Sequence, residues 1–359
     1  MHLKNGYNIF EIKKNFKMKK ILLVTDTWIP QVNGVVTTWV NLKNLFIDKG
    51  YSIEVIHPFD YPTFSAPGYK EVKFPLVRSK IIRQKINNIQ PDHIHIATEG
   101  ILGWIARAYC IKNNLNFTTS YHTRFPEFLD SLYKIPQSLT YKIIKKFHSK
   151  SSMILINTPT MIQELSEKGF ENLKLWTRGI DRNIFKPRPN SKLRDSIDPT
   201  RNKKIILYVG RVSKEKNIET FCDLSEKFDK YRFVIVGDGP IKEKLQKKYT
   251  KILFTGYKFG FELAEYYSVA DSTVFPCLND TFGITIIESM ACGTPVAAFP
   301  VNGPIDIINL GVSGFFHDDI ELAIKESLNC KEKLVFESSQ KFNWESCFEI
   351  FINSIEKVS

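Results

Sequence analysis

Two acidic residues, Asp280 and Glu288, stand eight positions apart where a polar loop enters a short apolar segment. The pattern predicts a helix over 283–292, because Gly293 and Pro295 end it and a β-prone run follows. Eight positions along a mostly helical path separate the two acids by several ångströms to roughly 12 Å. That distance does not suit an acid and a base acting on one bond, but it suits the two ends of an elongated ligand.

The start of this predicted helix offers an anion site between the two acids. We expect the backbone N–H groups of Phe282, Gly283 and Ile284 to be free there, at the positive end of the helix dipole. A nucleotide sugar has the matching shape, with hydroxyls at both ends and a diphosphate in the middle. The alternative is an ordinary helix with a solvated glutamate and an Asp or Thr N-cap.

Strands and helices alternate along the chain in two successive blocks, which predicts parallel, doubly wound α/β sheets. The first block has a predicted helix over 35–49 and predicted strands at 20–26, 52–58, 93–97, 117–122 and 153–157. A polar linker with two prolines, 187–191, follows, and the second block has predicted strands at 203–210, 232–238, 252–255, 273–276 and 296–299. Sheets of this kind bind ligands at the carboxyl ends of their strands.

Several polar residues fall at such strand ends. Arg211 and Lys216 lie on a predicted strand-to-helix loop, a suitable place for cations that meet a diphosphate, although both could equally be surface cations. His122 ends a predicted strand, and a lone histidine there either serves a ligand or is a structural residue. Gly34 lies in the first strand-to-helix loop, where glycine permits close approach of a ligand but also makes ordinary turns.

Taken in order, four motifs resemble those of the retaining GT-B glycosyltransferases in the glycosyltransferase group 1 family. They are the acid-x7-acid segment 280–288, the Gly-Arg-x4-Lys segment 210–216, the Gly-x-Gly-Pro turn 237–240 and the Gly-Ile-Asp-x3-Phe-x-Pro segment 179–187. The resemblance covers nearly the whole chain from Met18, but Asp280 stands where the family usually has Glu. Segments 98–103 and 121–126 look closest to the branch of GDP-mannose-dependent mannosyltransferases and glycolipid-forming glycosyltransferases.

The resemblance implies the GT-B architecture, two Rossmann-like domains that face a central cleft. It divides the chain into an N-terminal extension (1–17), an acceptor-binding domain (18–188) and a nucleotide-sugar-binding domain (189–341). The C-terminal helix, predicted within 342–359, would cross back and complete the first domain.

The same resemblance implies roles for single residues. Asp280 and the backbone after it would hold the donor sugar, Glu288 the ribose hydroxyls, and Arg211 and Lys216 the pyrophosphate. His122 would touch the sugar near the reacting carbon. The implied catalytic residues are His122, Asp280, Arg211 and Lys216, and the implied donor-binding residues are Gly34, Arg211, Lys216, Asp280, Thr281, Phe282, Gly283, Ile284 and Glu288.

The activity implied is transfer of a hexose, mannose or glucose, from a GDP- or UDP-sugar to an acceptor hydroxyl with retention of configuration. The acceptor would be a membrane lipid or a sugar. No D-x-D triplet occurs, so we expect no metal and no cofactor. A nucleotide-sugar epimerase or a sugar phosphorylase on the same architecture is the alternative function.

Composition limits the remaining choices. The 359 residues predict two domains, and no apolar run approaches the roughly 20 residues that span a bilayer. The six cysteines are scattered, which fits reduced thiols in the cytoplasm. A net charge of +12 suits acidic ligands or an anionic lipid surface, or it reflects solvated lysines. The dispersed basic residues and the lack of a recognised module argue against nucleic acid.

One basic segment, 139–150, is predicted to form an amphipathic helix. We expect Leu139, Ile143, Ile144 and Phe147 on one face and the lysines beside or opposite them. This helix either lies on an anionic membrane, which would place the enzyme at the inner membrane face, or packs on the sheet with its lysines in solvent.

Overall fold

The computed structural model of the chain describes residues 19–66 and 69–356. The predicted N-terminal extension, 1–17, and the last three residues of the predicted C-terminal helix lie outside the described residues.

The first half of the chain builds a six-stranded parallel sheet with the strand order β2-β1-β5-β6-β7-β8. In chain order the strands are β1 (Lys20–Val24), β2 (Ser52–Ile56), β3 (Thr63–Ala66), β4 (Tyr69–Pro75), β5 (His93–Ile96), β6 (Phe117–Tyr121), β7 (Met153–Ile156) and β8 (Leu173–Leu175). Strands β3 and β4 pair with each other as a separate antiparallel hairpin. The central strands are short apolar runs because helices cover both faces of the sheet.

Among the described residues, six α-helices accompany this sheet. They are α1 (Gly34–Asp48), α2 (Ser79–Ile89), α3 (Ile101–Lys112), α4 (Phe125–Tyr133), α5 (Gln137–His148) and α6 (Pro159–Glu167). The start of α1 is fixed by Asn33, whose side-chain oxygen accepts hydrogen bonds from the amides of Val35 and Val36 at 3.0 Å each. This cap places Gly34 at the first turn of α1, at the carboxyl end of the sheet.

The second half repeats the design with the order β11-β10-β9-β12-β13-β14, again all parallel. The strands are β9 (Lys204–Val209), β10 (Tyr231–Val236), β11 (Leu253–Phe254), β12 (Ser272–Phe275), β13 (Val296–Ala298) and β14 (Gly314–Phe316). Counted within this half, the order is 3-2-1-4-5-6, the Rossmann order. The predicted α/β architecture of two Rossmann-like domains is therefore confirmed.

The helices of the second half precede, connect and follow these strands. They are α7 (Ser191–Ile197), α8 (Ile218–Lys227), α9 (Lys242–Lys248), α10 (Gly260–Val269), α11 (Ile284–Ala291), α12 (Pro304–Ile307), α13 (Ile320–Ser327), α14 (Glu332–Ser338) and α15 (Trp344–Glu356). No helix within the described residues is both long and apolar enough to cross a membrane.

The last helix, α15, packs on the first half of the chain. Phe351 lies 5.4 Å from the ring of Trp39, and Phe348 lies 5.0 Å from the ring of Phe46, both centroid to centroid. All four aromatic side chains are buried in one apolar cluster with α1. Edge-to-face contacts of this kind add to the stabilisation from burial, so α15 fastens the two halves together.

One predicted helix face is wrong. Ile144 and Phe147 of α5 are buried, but Leu139 and Ile143 are 52% and 47% exposed. The buried stripe is formed instead by Thr140, Ile144, Phe147 and His148. Because this stripe is narrow, α5 leaves two aliphatic side chains among its lysines in solvent.

Candidate functional site

The two halves meet where α1 and α11 begin. A Cβ atom added to Gly34 would lie 3.3 Å from Cδ1 of Ile284, so these two predicted donor-site positions are neighbours across the interface. The segment before α11 also reaches the first half, because Thr281 Oγ1 donates to the carbonyl of His122 at 2.7 Å. The cleft is therefore closed at this point by contacts between the two halves.

Asp280 and Lys216 form an ion pair with 2.8 Å between Oδ2 and Nζ. The other carboxylate oxygen accepts from the amides of Thr281 at 2.8 Å and Phe282 at 3.2 Å. Burial alone would raise the pKa of Asp280, but the charge of Lys216 and these hydrogen bonds outweigh it and lower the pKa. Asp280 is therefore a fixed negative charge that also orients Lys216.

The predicted anion site is only partly as expected. The backbone N–H of Phe282 is not free, because it donates a hydrogen bond to the carboxylate of Asp280. The amides of Gly283 and Ile284 have no acceptor among the described residues. Gly283 adopts φ +93°, a left-handed conformation that favours glycine, and it turns the chain into α11. Two backbone donors, not three, therefore remain for a ligand at this end of α11.

Arg211 lies at the start of the loop that follows β9, and Lys216 lies at the end of the same loop, before α8. The loop is held by hydrogen bonds from the amide of Gly210 to Val236 at 3.0 Å and from the Tyr208 hydroxyl to the carbonyl of Arg211 at 2.7 Å. A Cβ on Gly237 would lie 1.9 Å from the carbonyl oxygen of Gly210, so the 237–240 turn must carry glycine there. This turn therefore supports the loop that presents Arg211.

Glu288 lies in a different environment on the same helix. It is buried, and its Oε2 accepts a hydrogen bond from the Tyr267 hydroxyl at 2.8 Å. Burial raises the pKa of Glu288 to about 7, against a smaller lowering by the Tyr267 hydrogen bond. Its other oxygen takes no hydrogen bond from the described residues, so it can accept one from a ligand hydroxyl.

His122 lies just beyond β6 and is 8% exposed. Its Nδ1 is 2.7 Å from a terminal nitrogen of Arg178, and its buried Nε2 has no hydrogen-bond partner among the described residues. Burial first, and the nearby Arg178 charge second, hold the pKa of His122 well below its usual range. The ring is therefore neutral at physiological pH.

Three contributors to this site were not identified from the sequence. Arg178, Asn157 and Tyr267 are each buried against a predicted site residue. Arg178 directly precedes the Gly-Ile-Asp segment, but nothing local distinguishes a buried arginine from a solvated one. Asn157 follows β7 at the carboxyl edge of the sheet, and this position after a strand is the feature of the sequence that could have indicated a site residue.

The other histidines of the first sheet are held by strand hydroxyls. His93 Nε2 and His95 Nδ1 both lie 2.8 Å from Thr118 Oγ1, and His95 Nε2 lies 2.7 Å from Ser120 Oγ. Over residues 19–66 and 69–356, no group of three or more His, Cys, Asp or Glu side chains is arranged to hold a metal ion.

Two family models match the chain, one to each half. The model described as "Glycosyltransferase Family 4" matches residues 32–183, and the model described as "Glycosyl transferases group 1" matches residues 190–334. The boundary between the two matches falls in the predicted linker.

Similar proteins of known activity extend over most of the chain. A GDP-mannose-dependent alpha-mannosyltransferase of Corynebacterium glutamicum is 30% identical over 339 residues, covering 89% of this chain and 81% of that protein. An alpha-monoglucosyldiacylglycerol synthase of Streptococcus pneumoniae is 28% identical, covering 86% of this chain and 78% of that protein. The structure of a sucrose-phosphate synthase from Thermosynechococcus elongatus superposes with a TM-score of 0.75 at 18% identity, covering 94% and 98% of the two chains.

Proposed function

The chain belongs to the glycosyltransferase group 1 family, and we propose that it is a retaining hexosyltransferase that uses a nucleoside diphosphate sugar. The hexose is mannose or glucose, the nucleotide GDP or UDP, and the acceptor a hydroxyl of a membrane lipid, with a soluble sugar as the second acceptor class. The names of the two relatives support these choices, since one specifies GDP-mannose and the other a glucosyl lipid.

The observation that carries the donor assignment is the group of charges at the start of α11. The ion pair of Lys216 and Asp280 lies there, next to two backbone N–H groups without an acceptor, those of Gly283 and Ile284. Cationic and amide donors suit a diphosphate, and the adjacent carboxylate suits sugar hydroxyls. Glu288, about one turn further along α11, has a free oxygen for the ribose.

In the proposed reaction, the bond between the anomeric carbon and the diphosphate oxygen breaks. The acceptor oxygen bonds to the same carbon from the same face, and its proton passes to the departing diphosphate oxygen. Arg211 and Lys216 offset the negative charge that grows on the leaving group. Asp280 is held by Lys216 and two amides, an arrangement that favours binding of hydroxyls over attack on carbon. Isolation of a covalent glycosyl-enzyme adduct would overturn this step.

The donor is tested by thermal-shift binding against GDP-, UDP- and ADP-sugars and their free diphosphates. We expect one nucleotide to stabilise the protein clearly, and the matching sugar to support transfer with the anomeric configuration retained in the product. Nucleotide-sugar turnover without an acceptor would indicate an epimerase instead, and dependence on inorganic phosphate a phosphorylase. Stabilisation by none of the panel would contradict the donor site.

We further propose that transfer needs no divalent metal. The cations Arg211 and Lys216 supply the positive charge that a metal provides in enzymes with a D-x-D motif. Activity in excess EDTA should equal that in Mg²⁺; a loss that Mg²⁺ or Mn²⁺ restores would contradict this part of the proposal.

The lipid part of the proposal rests on the outer surface of α5. Leu139 and Ile143 are exposed, as are Lys142, Lys146 and Lys150 around them. Helix α2 has the same character, with exposed Ile81 beside a basic cluster (Arg78, Lys80, Arg83 and Lys85). Both helices cover the same face of the first sheet, because Ile82 of α2 and Phe147 of α5 share one apolar cluster. Aliphatic side chains among lysines suit an anionic lipid surface.

Vesicle flotation tests the membrane contact. The protein should float with vesicles containing anionic phospholipid and not with purely zwitterionic ones. Replacing Leu139 and Ile143 by serine should abolish flotation, whereas Leu334→Ser, an exposed leucine of the second half, should not. Failure to float with either lipid would remove the membrane argument and favour a soluble sugar acceptor.

A further inference from the structure

Arg178 is buried directly behind His122, on the side away from its unpartnered nitrogen. We propose that Arg178 is a positioning residue: it fixes His122 in the tautomer that carries hydrogen on Nε2, so that His122 works as a hydrogen-bond donor and not as a base. The inference rests on the proposed function for one point, the identity of the hydrogen-bond acceptor that faces Nε2, which is an oxygen of the transferred hexose. The tautomer itself is a property of the free protein.

The tautomer follows from the chemistry of the two groups. A guanidinium carries only donors, so its contact with Nδ1 of His122 at 2.7 Å requires Nδ1 to accept. A neutral imidazole that accepts at Nδ1 carries its hydrogen on Nε2. Because burial and the Arg178 charge keep the ring neutral, Nε2 has a hydrogen to donate and no lone pair to take one.

Arg178 is itself held rigidly. One terminal nitrogen donates to the carbonyls of Trp176 at 3.0 Å and Thr177 at 3.2 Å, and the guanidinium lies 4.4 Å from the Trp176 ring centroid. The side chain is 2% exposed, and burial lowers its pKa to about 10, which still leaves it charged at neutral pH. Such a group cannot turn away, so the restraint on His122 is permanent.

The same nitrogen that reaches His122 also donates to the side-chain oxygen of Asn157. The amide nitrogen of Asn157 is 3.1 Å from Thr281 Oγ1, and Thr281 donates to the carbonyl of His122 at 2.7 Å. Arg178, His122, Thr281 and Asn157 thus form a closed ring of hydrogen bonds. Since Thr281 directly follows Asp280, this ring sets His122 beside the proposed sugar site of the other half.

The Nε2–H group is the one member of the ring left without an acceptor among the described residues. A buried donor without a partner destabilises a folded protein, and a ligand that supplies the acceptor removes that cost. A neutral N–H group donates to any oxygen acceptor, and in the proposed function the transferred hexose supplies one beside it. A hydroxyl or ring oxygen of a hexose is such an acceptor.

A matched pair of variants separates donation from base catalysis. His122→Gln places an amide nitrogen near the position of Nε2, whereas His122→Asn places its oxygen near Nδ1 and leaves no group to donate outward. We expect His122→Gln to keep kcat/KM within roughly tenfold of the wild type and His122→Asn to lose roughly 100-fold or more. Equal, near-complete loss in both variants would overturn the donor role.

The second measurement needs no activity. Long-range ¹H–¹⁵N spectra of histidine-labelled protein, with the His122 signals assigned by their disappearance in His122→Gln, report which nitrogen carries hydrogen. We expect hydrogen on Nε2 and none on Nδ1, without titration between pH 5.5 and 8; the titratable and charged groups facing the ring are Arg178, His95 and His148. Hydrogen on Nδ1 in the wild type would refute the proposal even if the enzyme transfers hexose.

Arg178→Met then tests the cause. With the guanidinium donor removed, the His122 signals should show a hydrogen that exchanges between Nδ1 and Nε2. Arg178→Lys keeps a charged donor and should restore the wild-type pattern at least in part. An unchanged Nε2–H pattern in a folded Arg178→Met protein would assign the tautomer to another group. If the spectra agree and no nucleotide sugar is used, the proposed function fails and the positioning role stands.

Discussion

The two acids of the 280–288 segment, Glu288 buried and Asp280 partly exposed, lie in opposite electrostatic environments. Asp280 pairs with Lys216 at 2.8 Å and accepts two amides, and its pKa is lowered. Glu288 has only the Tyr267 hydroxyl as a partner, and burial raises its pKa to about 7. The spacing of two acids in a motif therefore does not decide whether each carboxyl group is ionised. The presence or absence of a neighbouring cation decides it. One end of the site is a permanent charge and the other can exchange a proton near neutral pH.

Removal of the permanent charge at Asp280 should reduce transfer most. Asp280→Ala leaves the partly exposed Lys216 without its partner and frees it from its fixed position. We expect transfer to fall by roughly 100- to 1000-fold, measured as kcat with saturating donor. Asp280→Glu, which restores the acid usual in the family, should stay within roughly tenfold of the wild type. A near-normal rate in Asp280→Ala would overturn the assignment of this end of the site.

Removing the other acid should act on binding more than on the chemical step. Glu288→Ala deletes the proposed acceptor for the ribose hydroxyls. A hydrogen bond to a charged group contributes roughly 1.5–3 kcal/mol, so KM for the nucleotide sugar should rise roughly 10- to 100-fold. We expect kcat to change by less than KM, because the ribose contact is made equally before and during transfer. A fall in kcat alone would place Glu288 at the reacting centre instead.

The raised pKa of Glu288 predicts that nucleotide binding depends on pH near neutrality, which the ionised Asp280 would not cause. If Glu288 accepts from the ribose hydroxyls as proposed, its carboxylate form is the binding form. The affinity for the free nucleoside diphosphate should then rise roughly tenfold from pH 6 to pH 8, as a group of pKa about 7 loses its proton. Calorimetry in buffers of different ionisation enthalpy should show proton release on binding.

Two variants serve as controls for that pH test. Glu288→Gln should show only the small change that comes from ionisation of the diphosphate itself. Tyr267→Phe removes the hydrogen bond that lowers the pKa of Glu288, so the rise in affinity should move to higher pH. Identical pH profiles for the wild type and Glu288→Gln would mean that Glu288 does not titrate in this range.

The pH dependence of stability should also distinguish the two acids, by a smaller amount. The folded state raises the pKa of Glu288 above its ordinary value of 4.5, so it holds an extra proton between pH 4.5 and 7, and the free energy of unfolding falls as pH rises through that window. Asp280 has a lowered pKa, and its contribution is lost only as pH falls below its ordinary value of 3.8. The window from pH 5 to 8 therefore separates Glu288 from Asp280. Contributions of other shifted groups, such as Asp26 and His122, are shared by the wild type and Glu288→Gln and cancel when the two proteins are compared.

Glu288→Gln should accordingly be more stable than the wild type at pH 8 by about 1 kcal/mol, once the unmet amide hydrogens of glutamine are allowed for. Because the cost of the unmet amide hydrogens is the same at every pH, the order should reverse at low pH, and Glu288→Gln should be the less stable protein near pH 4.5. Urea unfolding of both proteins across this range measures it. A gain in stability that is the same at every pH would show that the effect comes from packing and not from ionisation.

Much of the fold could be predicted because its signals are local. The strand before Asp26 is an apolar run, α1 begins after an Asn cap, and α11 is ended by Gly293. The three-residue strands β8 and β14 and the β3–β4 hairpin were missed, since so short or irregular a run carries little periodic signal. Helix α5 was placed correctly, but its buried face was misassigned by about one residue in each turn.

The sequence by itself determined the alternation of strands and helices, the position of the acids and cations at strand ends, and the likeness to one family of enzymes. Only the tertiary structure decided what surrounds each of those groups. Lys216 and Asp280 are 64 residues apart, and His122 and Arg178 are 56 apart, so neither pair leaves a local trace. The physical reason is that periodicity and capping depend on neighbours in the chain, whereas burial, ionisation and tautomer depend on neighbours in space.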